Sequence, residues 1–221
     1  MSSPVYVVIG AGPGLGLGVS RRFARKGYAP VLIGATAEAM EPLTQTLRDE
    51  GFEAYAAGLS LTDADSITAT ITEIGEARGR IDVLHFNPSA WREKSPLELT
   101  PAELLEDVMF GAAALLPALQ AARPYMSSGA RVLVTGSAAA DTPYAGAASL
   151  GVQKAAVRNL TTSIDKTLKA DGIRAVCVQI NGELGKEGPF SPPPIADAMW
   201  AAVSRPDADW TAQVAYSPAR A

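Results

Sequence analysis

Residues 7–18 read VVIGAGPGLGLG, an apolar run that passes directly into Gly10, Gly12, Gly14 and Gly16. A tight turn at this point needs residues free to take positive φ. A bare backbone also lets a pyrophosphate approach the N-terminus of a following helix, where unpaired N–H groups and the helix dipole favour an anion. Glycine spacing alone is weak and is compatible with an empty turn. Its position, after a first strand and at the opening of a first helix, makes it informative. The candidate residues for holding a dinucleotide here are Gly10, Gly12, Gly14, Leu15 and Gly16.

Outward from this loop, short apolar runs alternate with longer helical patterns along the 221 residues. Strands are expected over 5–9, 31–33, 53–57, 81–86, 131–135 and 174–180, with a last one around 210–215. Continuous apolar runs such as VYVVI suit strands buried on both faces of a parallel sheet. Helices are expected over 17–26 and 37–50, stopped by Gly27 and Gly51, and from a cap at Asp63 to about Arg78, stopped by Gly79. Thr100 caps the next helix, which runs to about Ala122 with Pro101 in its first turn and a kink expected at Pro117. Further helices are expected over 147–169 and 195–203. The proline-rich stretch 189–194 is too short for an interdomain linker and reads as a surface loop. Strict alternation predicts an α/β fold, a Rossmann-type doubly wound parallel sheet of about seven strands with helices on both faces. One domain over residues 1–221 is expected, with ligands beyond the carboxyl ends of the strands.

The helix toward Ala122 is apolar nearly all round. Such a helix needs covering on both sides, so a homodimer or homotetramer is expected through the helices around 101–122 and 147–169. Apolar residues make up 48% of the chain and charged residues 19%, a globular composition. The net charge of −4 argues against nucleic acid, and the run Arg21, Arg22, Arg25, Lys26 reads as a solvated helix face. Cys177, the only cysteine, allows no internal disulfide and no cysteine metal site, and no metal is expected. The opening MSSPVYVVIG lacks the basic and long apolar regions of a secretory signal, and no stretch has the apolar length to cross a bilayer. A cytoplasmic protein with a small-molecule substrate is expected.

The spacing Gly10-x-x-x-Gly14-x-Gly16 resembles that of the short-chain dehydrogenase/reductase family. IDVLHFNPSA resembles the family's fourth-strand segment, with Asn87 at the place of an asparagine that steadies the sheet. RVLVTGSAAA resembles its fifth strand and puts Ser137 at the position of the catalytic serine. GVQKAAVRNL resembles its active-site helix, with Lys154 as the lysine, and the interval from Ser137 to Lys154 is the family's. NGELG, residues 181–185, stands where a Pro-Gly usually receives the nicotinamide. The resemblance therefore implies NAD or NADP as cofactor and Ser137 and Lys154 as catalytic residues. It implies cofactor contacts at Ala35, Thr36, Ser60, Leu61, Asn87, Pro88, Lys154, Asn181 and Gly182 besides the glycine loop.

The chain also departs from that pattern. The family's tyrosine, four residues before the lysine on the same helix face, is here Leu150, which can neither donate nor accept a proton. The asparagine of the family's proton relay corresponds to Met109 or Phe110. Gly34-Ala35-Thr36, where the adenosine ribose is read, is neither acidic nor basic. Pro13 stands where NADP enzymes often carry a basic residue, and Ser60 replaces the usual aspartate, so NAD and NADP both stay open. Tyr144 is the nearest tyrosine in sequence to the vacant position. His85, the only histidine, reads as a satisfied core residue, and Trp91 and Trp200 as packing or interface residues. Two functions follow: an atypical NAD(P)-dependent oxidoreductase acting on a small or activated carbonyl, or a catalytically silent dinucleotide-binding protein such as a redox sensor or structural partner.

Overall fold

The computed structural model describes residues 3–218. Seven parallel strands form one sheet: β1 (Val5–Ile9), β2 (Ala29–Gly34), β3 (Tyr55–Gly58), β4 (Val83–Phe86), β5 (Arg131–Ser137), β6 (Arg174–Ile180) and β7 (Gln213–Tyr216). Their order is β3-β2-β1-β4-β5-β6-β7. The chain winds one way from β1 to β3 and the other way from β4 onward. The switch point, where such sheets open a crevice, therefore lies between β1 and β4.

Strand β1 shows why the runs are apolar throughout. Val5, Val7 and Ile9 enter the core on one face, and Tyr6 and Val8 enter the core on the other. The first core is closed by α3 (Ala64–Arg78), α5 (Leu115–Ala122) and α6 (Ala148–Leu168). The second is closed by α1 (Leu15–Ala24), α2 (Ala37–Asp49) and α7 (Pro192–Val203). Trp200 belongs to this second core, edge-on to Phe23 at 5.3 Å and to Tyr28 at 6.0 Å.

Three helix expectations are corrected. Helix α7 begins at Pro192 rather than at 195, so part of the proline-rich stretch expected as a surface loop forms its first turn. Helix α1 begins at Leu15, immediately after the Gly14 cap, rather than at residue 17. The expected single helix over 100–122 is two, α4 (Pro101–Val108) and α5, joined by a π turn at Met109–Ala113. Pro117 lies inside α5, not at the break. It has no N–H for the carbonyl of Ala113, and its ring crowds that carbonyl. The hydrogen-bond register widens just upstream, where the amide of Ala114 donates to the carbonyl of Met109 at 3.0 Å. Thr100 and Glu103 form the reciprocal capping box that starts α4. No helix of the described residues is long and apolar enough to cross a membrane.

Candidate functional site

The turn after β1 is held from two sides. The amides of Gly10 and Ala11 both donate to the carbonyl of Ile33, at 2.9 and 3.0 Å. The Asn87 side-chain amide donates to the carbonyl of Gly10 at 2.8 Å. Gly10 has φ +77°, a conformation that disfavours any side chain. A Cβ on Gly16 would lie 2.8 Å from Cα of Ala11, so only glycine lets α1 seat against the loop. A Cβ on Gly12 or Gly14 would meet nothing, which leaves that stretch of backbone bare toward solvent. No side chain caps α1; the amide of Leu17 donates to the carbonyl of Gly12 at 2.9 Å, and those of Leu15 and Gly16 stay available to an anion.

The crevice continues on both sides of this turn. Toward β2 and β3 it is a pocket of about 690 Å³, lined by Gly10, Gly34, Ala35, Ser60, Leu61, Asn87 and Pro88 among others, with no ionisable side chain. Thr36 stands beside it as the N-cap of α2, its hydroxyl accepting from the amide of Ala39 at 3.2 Å. Toward β5 and β6 the crevice narrows to about 310 Å³. This half is lined by Gly12, Leu15, Gly16, Trp91, Ser137, Leu150, Lys154, Gly182 and Leu184 among others, with Gly10, Asn87 and Ser89 shared by both halves.

Lys154, on α6, is buried in this second half. Its ammonium donates to the carbonyls of Pro88 at 2.9 Å and Thr135 at 3.1 Å. Burial without a carboxylate partner pulls its pKa down to about 8. An ammonium carries three N–H donors, so one remains beyond the two committed to carbonyls. Leu150 lies one turn earlier on the same helix, buried against Ala139 and Ala147. Ser137 ends β5, its hydroxyl accepting from the amide of Ala139 at 3.2 Å and keeping its own proton to give.

Beneath these residues runs a buried polar chain. The Tyr6 hydroxyl lies 2.5 Å from Nδ1 of His85, and Nε2 of His85 lies 2.8 Å from the Thr135 hydroxyl. That hydroxyl donates to Oδ1 of Asn87 at 2.7 Å. Full burial, reinforced by the charge of Lys154, holds the His85 pKa down at about 3, so the ring is neutral. His85 is a satisfied core residue, and its satisfaction orients Asn87 over the glycine turn.

The fold thus brings Gly10, Gly12, Leu15, Gly16, Asn87, Ser137, Lys154 and Gly182 to one cleft, and Ala35, Ser60, Leu61 and Pro88 to its extension. Gly14, Thr36 and Asn181 lie off both linings. The first two are helix caps. The Asn181 side chain instead donates to Ser217 Oγ at 2.7 Å and accepts from Gln179 at 3.0 Å. Tyr144 lines a separate apolar groove of about 770 Å³, outside α6, with Leu104, Pro143 and Val152. That groove contains neither the glycine loop nor Lys154. Sequence reading misses Ser89, Trp91 and Leu184 as cleft residues. Trp91 follows Asn87 by four positions in a loop of irregular structure, and its pattern is indistinguishable from a packing residue until the fold is known.

The model of the short chain dehydrogenase family matches residues 4–182. Cis-4-hydroxycyclohexanecarboxylate dehydrogenase of Sinomonas cyclohexanicum is 34% identical over 179 residues, which span 79% of this chain and 71% of that enzyme. The 3alpha-hydroxysteroid dehydrogenase of Mediterraneibacter gnavus is 28% identical, over 80% of this chain and 73% of the relative. Among solved structures, a metagenomic short-chain oxidoreductase in complex with NADP superposes with a TM-score of 0.85. It is 25% identical, and 99% of each chain is covered.

Proposed function

The chain belongs to the short-chain dehydrogenase family, and from that premise we propose that it is an NAD(P)-dependent oxidoreductase working without the family's tyrosine, whose position Leu150 fills. The observation that carries this reading is the convergence of the bare glycine loop, Ser137 and Lys154 on one crevice at the switch point of the sheet. The structural neighbour that holds NADP, and relatives named for ring hydroxyl substrates, support a secondary alcohol or ketone.

The residues present fit a dinucleotide. Bare backbone at Gly12 and Gly14 and the uncapped start of α1 suit a pyrophosphate. The uncharged pocket toward β3 suits an adenosine and, having no carboxylate in its lining, does not repel a 2′-phosphate. A bound nicotinamide would supply the hydride. Lys154 keeps one N–H for a ribose hydroxyl, and the Ser137 hydroxyl donates to the substrate oxygen. Leu150 adds an apolar wall where an acid would otherwise stand. Loss of a placed acid typically slows such a step by ~10²–10⁴-fold, so an activated carbonyl is the favoured substrate. Leu105, Leu116 and Val152, exposed on α4, α5 and α6, support a homodimer or homotetramer through these helices.

Fluorescence titration with NADH and with NADPH, followed by turnover on a panel of ketones and enones, tests the reading. Micromolar binding with slow but saturable reduction is expected. Failure to bind either cofactor overturns it, and binding with no turnover on any carbonyl would favour a silent dinucleotide-binding protein.

A further inference from the structure

The loop between β4 and α4 carries an indole that packing does not explain. Trp91 is 60% exposed, yet the backbone on either side of it is clamped. On one side the fully buried Gln153 amide holds both polar groups of Ala90. The amide of Ala90 donates to its Oε1 at 2.9 Å, and its Nε2 donates to the carbonyl of Ala90 at 3.0 Å. Glycine at 111 makes this possible, since a Cβ there would fall 1.9 Å from Oε1 of Gln153. On the other side Arg92 makes a two-pronged pair with buried Asp107 at 2.9 and 3.0 Å, and reaches Glu106 at 2.9 Å. Lys94 ties the same loop to Glu103 at 2.6 Å.

The indole itself donates from Nε1 to Oε1 of Glu93 at 3.3 Å, and an exposed ring on a backbone clamped at both sides forgoes burial as a preorganised contact does. Trp91 lines the cleft together with Ser137, Leu150 and Leu184, and the Tyr144 ring braces it edgewise at 6.1 Å. Lys154 is the only ionisable group in that lining, and two of its N–H groups are already committed. Trp91, Leu150 and Leu184 offer a flat π face and aliphatic walls, and the one charged group of the lining, Lys154, gives its remaining N–H to the ribose in the reading above. We propose that Trp91 is a specificity-determining platform on which the substrate lies flat, and that the substrate is an uncharged, planar ring ketone or its alcohol, aromatic or conjugated with its carbonyl. This rests on the oxidoreductase reading above.

The test is calorimetric titration of the protein, saturated with NADP+ or NAD+, with 2-tetralone and with its saturated counterpart 2-decalone. Wild type is expected to bind 2-tetralone about tenfold more tightly. Trp91→Leu should bring the two ketones to within about twofold of each other, while Trp91→Phe keeps most of the preference. Circular dichroism checks that each variant folds, as the exposure of Trp91 leads one to expect. A preference that survives Trp91→Leu, or no ketone binding to a protein that does bind cofactor, overturns the proposal and leaves the dinucleotide reading standing. If no cofactor binds, the same titrations on the free protein decide: a Trp91-dependent preference upholds the platform alone, and its absence removes both. Dissociation of an oligomer by Trp91→Leu in sedimentation would also overturn the proposal, by showing the indole to be a subunit contact.

Discussion

The two halves of the crevice are built from different materials. The half toward β2 and β3 is mostly backbone and small residues, Gly10, Gly34, Ala35 and Ser60, with no ionisable side chain in the lining. The half toward β5 and β6 depends on individual side chains: Lys154 donating to two carbonyls, Ser137 at a strand end, Leu150 as a wall and Trp91 clamped by its neighbours. A backbone cradle tolerates many side-chain changes as long as its glycines stay. A site made of side chains changes its chemistry with one substitution. In the reading proposed here the first half changes at Ala35, Thr36 and Ser60 without losing its bare backbone, while the second changes its chemistry at the single position Leu150.

The largest way to sharpen this contrast is Leu150→Tyr. If the second half lacks only an acid, kcat for ketone reduction should rise by roughly 10²-fold or more, within the range of general-acid contributions, and NADPH affinity should stay nearly constant. Steady-state kinetics beside a fluorescence titration check both, and an unchanged kcat would mean that the acid is not the limit.

The glycine turn at which the two halves meet is broken in two distinguishable ways. Gly16→Ala sets a Cβ 2.8 Å from Cα of Ala11 and should cost about 1–3 kcal/mol of stability by overpacking, read as a lower denaturation midpoint. Gly12→Ala meets no protein atom and should leave that midpoint almost unmoved while weakening cofactor binding. Equal effects of the two on stability would argue against a bare ligand-facing backbone.

The smallest effect concerns Lys154, whose pKa of about 8 places its titration in an accessible range. Below that pH the ammonium has a third donor beyond those given to Pro88 and Thr135; above it only two N–H groups remain. Cofactor affinity should therefore fall as pH rises through about 8, by roughly five- to tenfold, about the net worth of one ordinary hydrogen bond. In Lys154→Met the affinity should be lower at neutral pH and flat across pH 7–9. A titration series over that range separates the two, and a wild-type profile as flat as the variant's would remove Lys154 from the cofactor site.

The glycine turn, the strand runs and the cap residues were legible because each is a local matter of φ, periodicity or one hydrogen bond. Gly10 at φ +77° and the Thr100–Glu103 capping box are read from a few neighbouring residues. The π turn was not legible. Pro117 announces a disturbed helix, but where the register widens depends on which carbonyl the ring displaces and on the room that Gln153 takes beside Gly111. The place of Trp91 in the cleft was not legible for a related reason: the groups that hold its loop come from residues 107 and 153, distant in sequence.

By itself, then, the sequence determined the doubly wound sheet, the loop from Gly10 to Gly16 as a turn with bare backbone, and the absence of a protic group at Leu150. These follow from residue type and spacing along one chain segment. Only the tertiary structure decided that Tyr6, His85, Thr135 and Asn87 join in one buried chain. It alone shows that Lys154 spends two of its donors on carbonyls, and that an exposed indole lines the same half of the crevice as Lys154 and Leu150. Those facts depend on distances between side chains from different strands and helices, which the packing of the whole sheet sets.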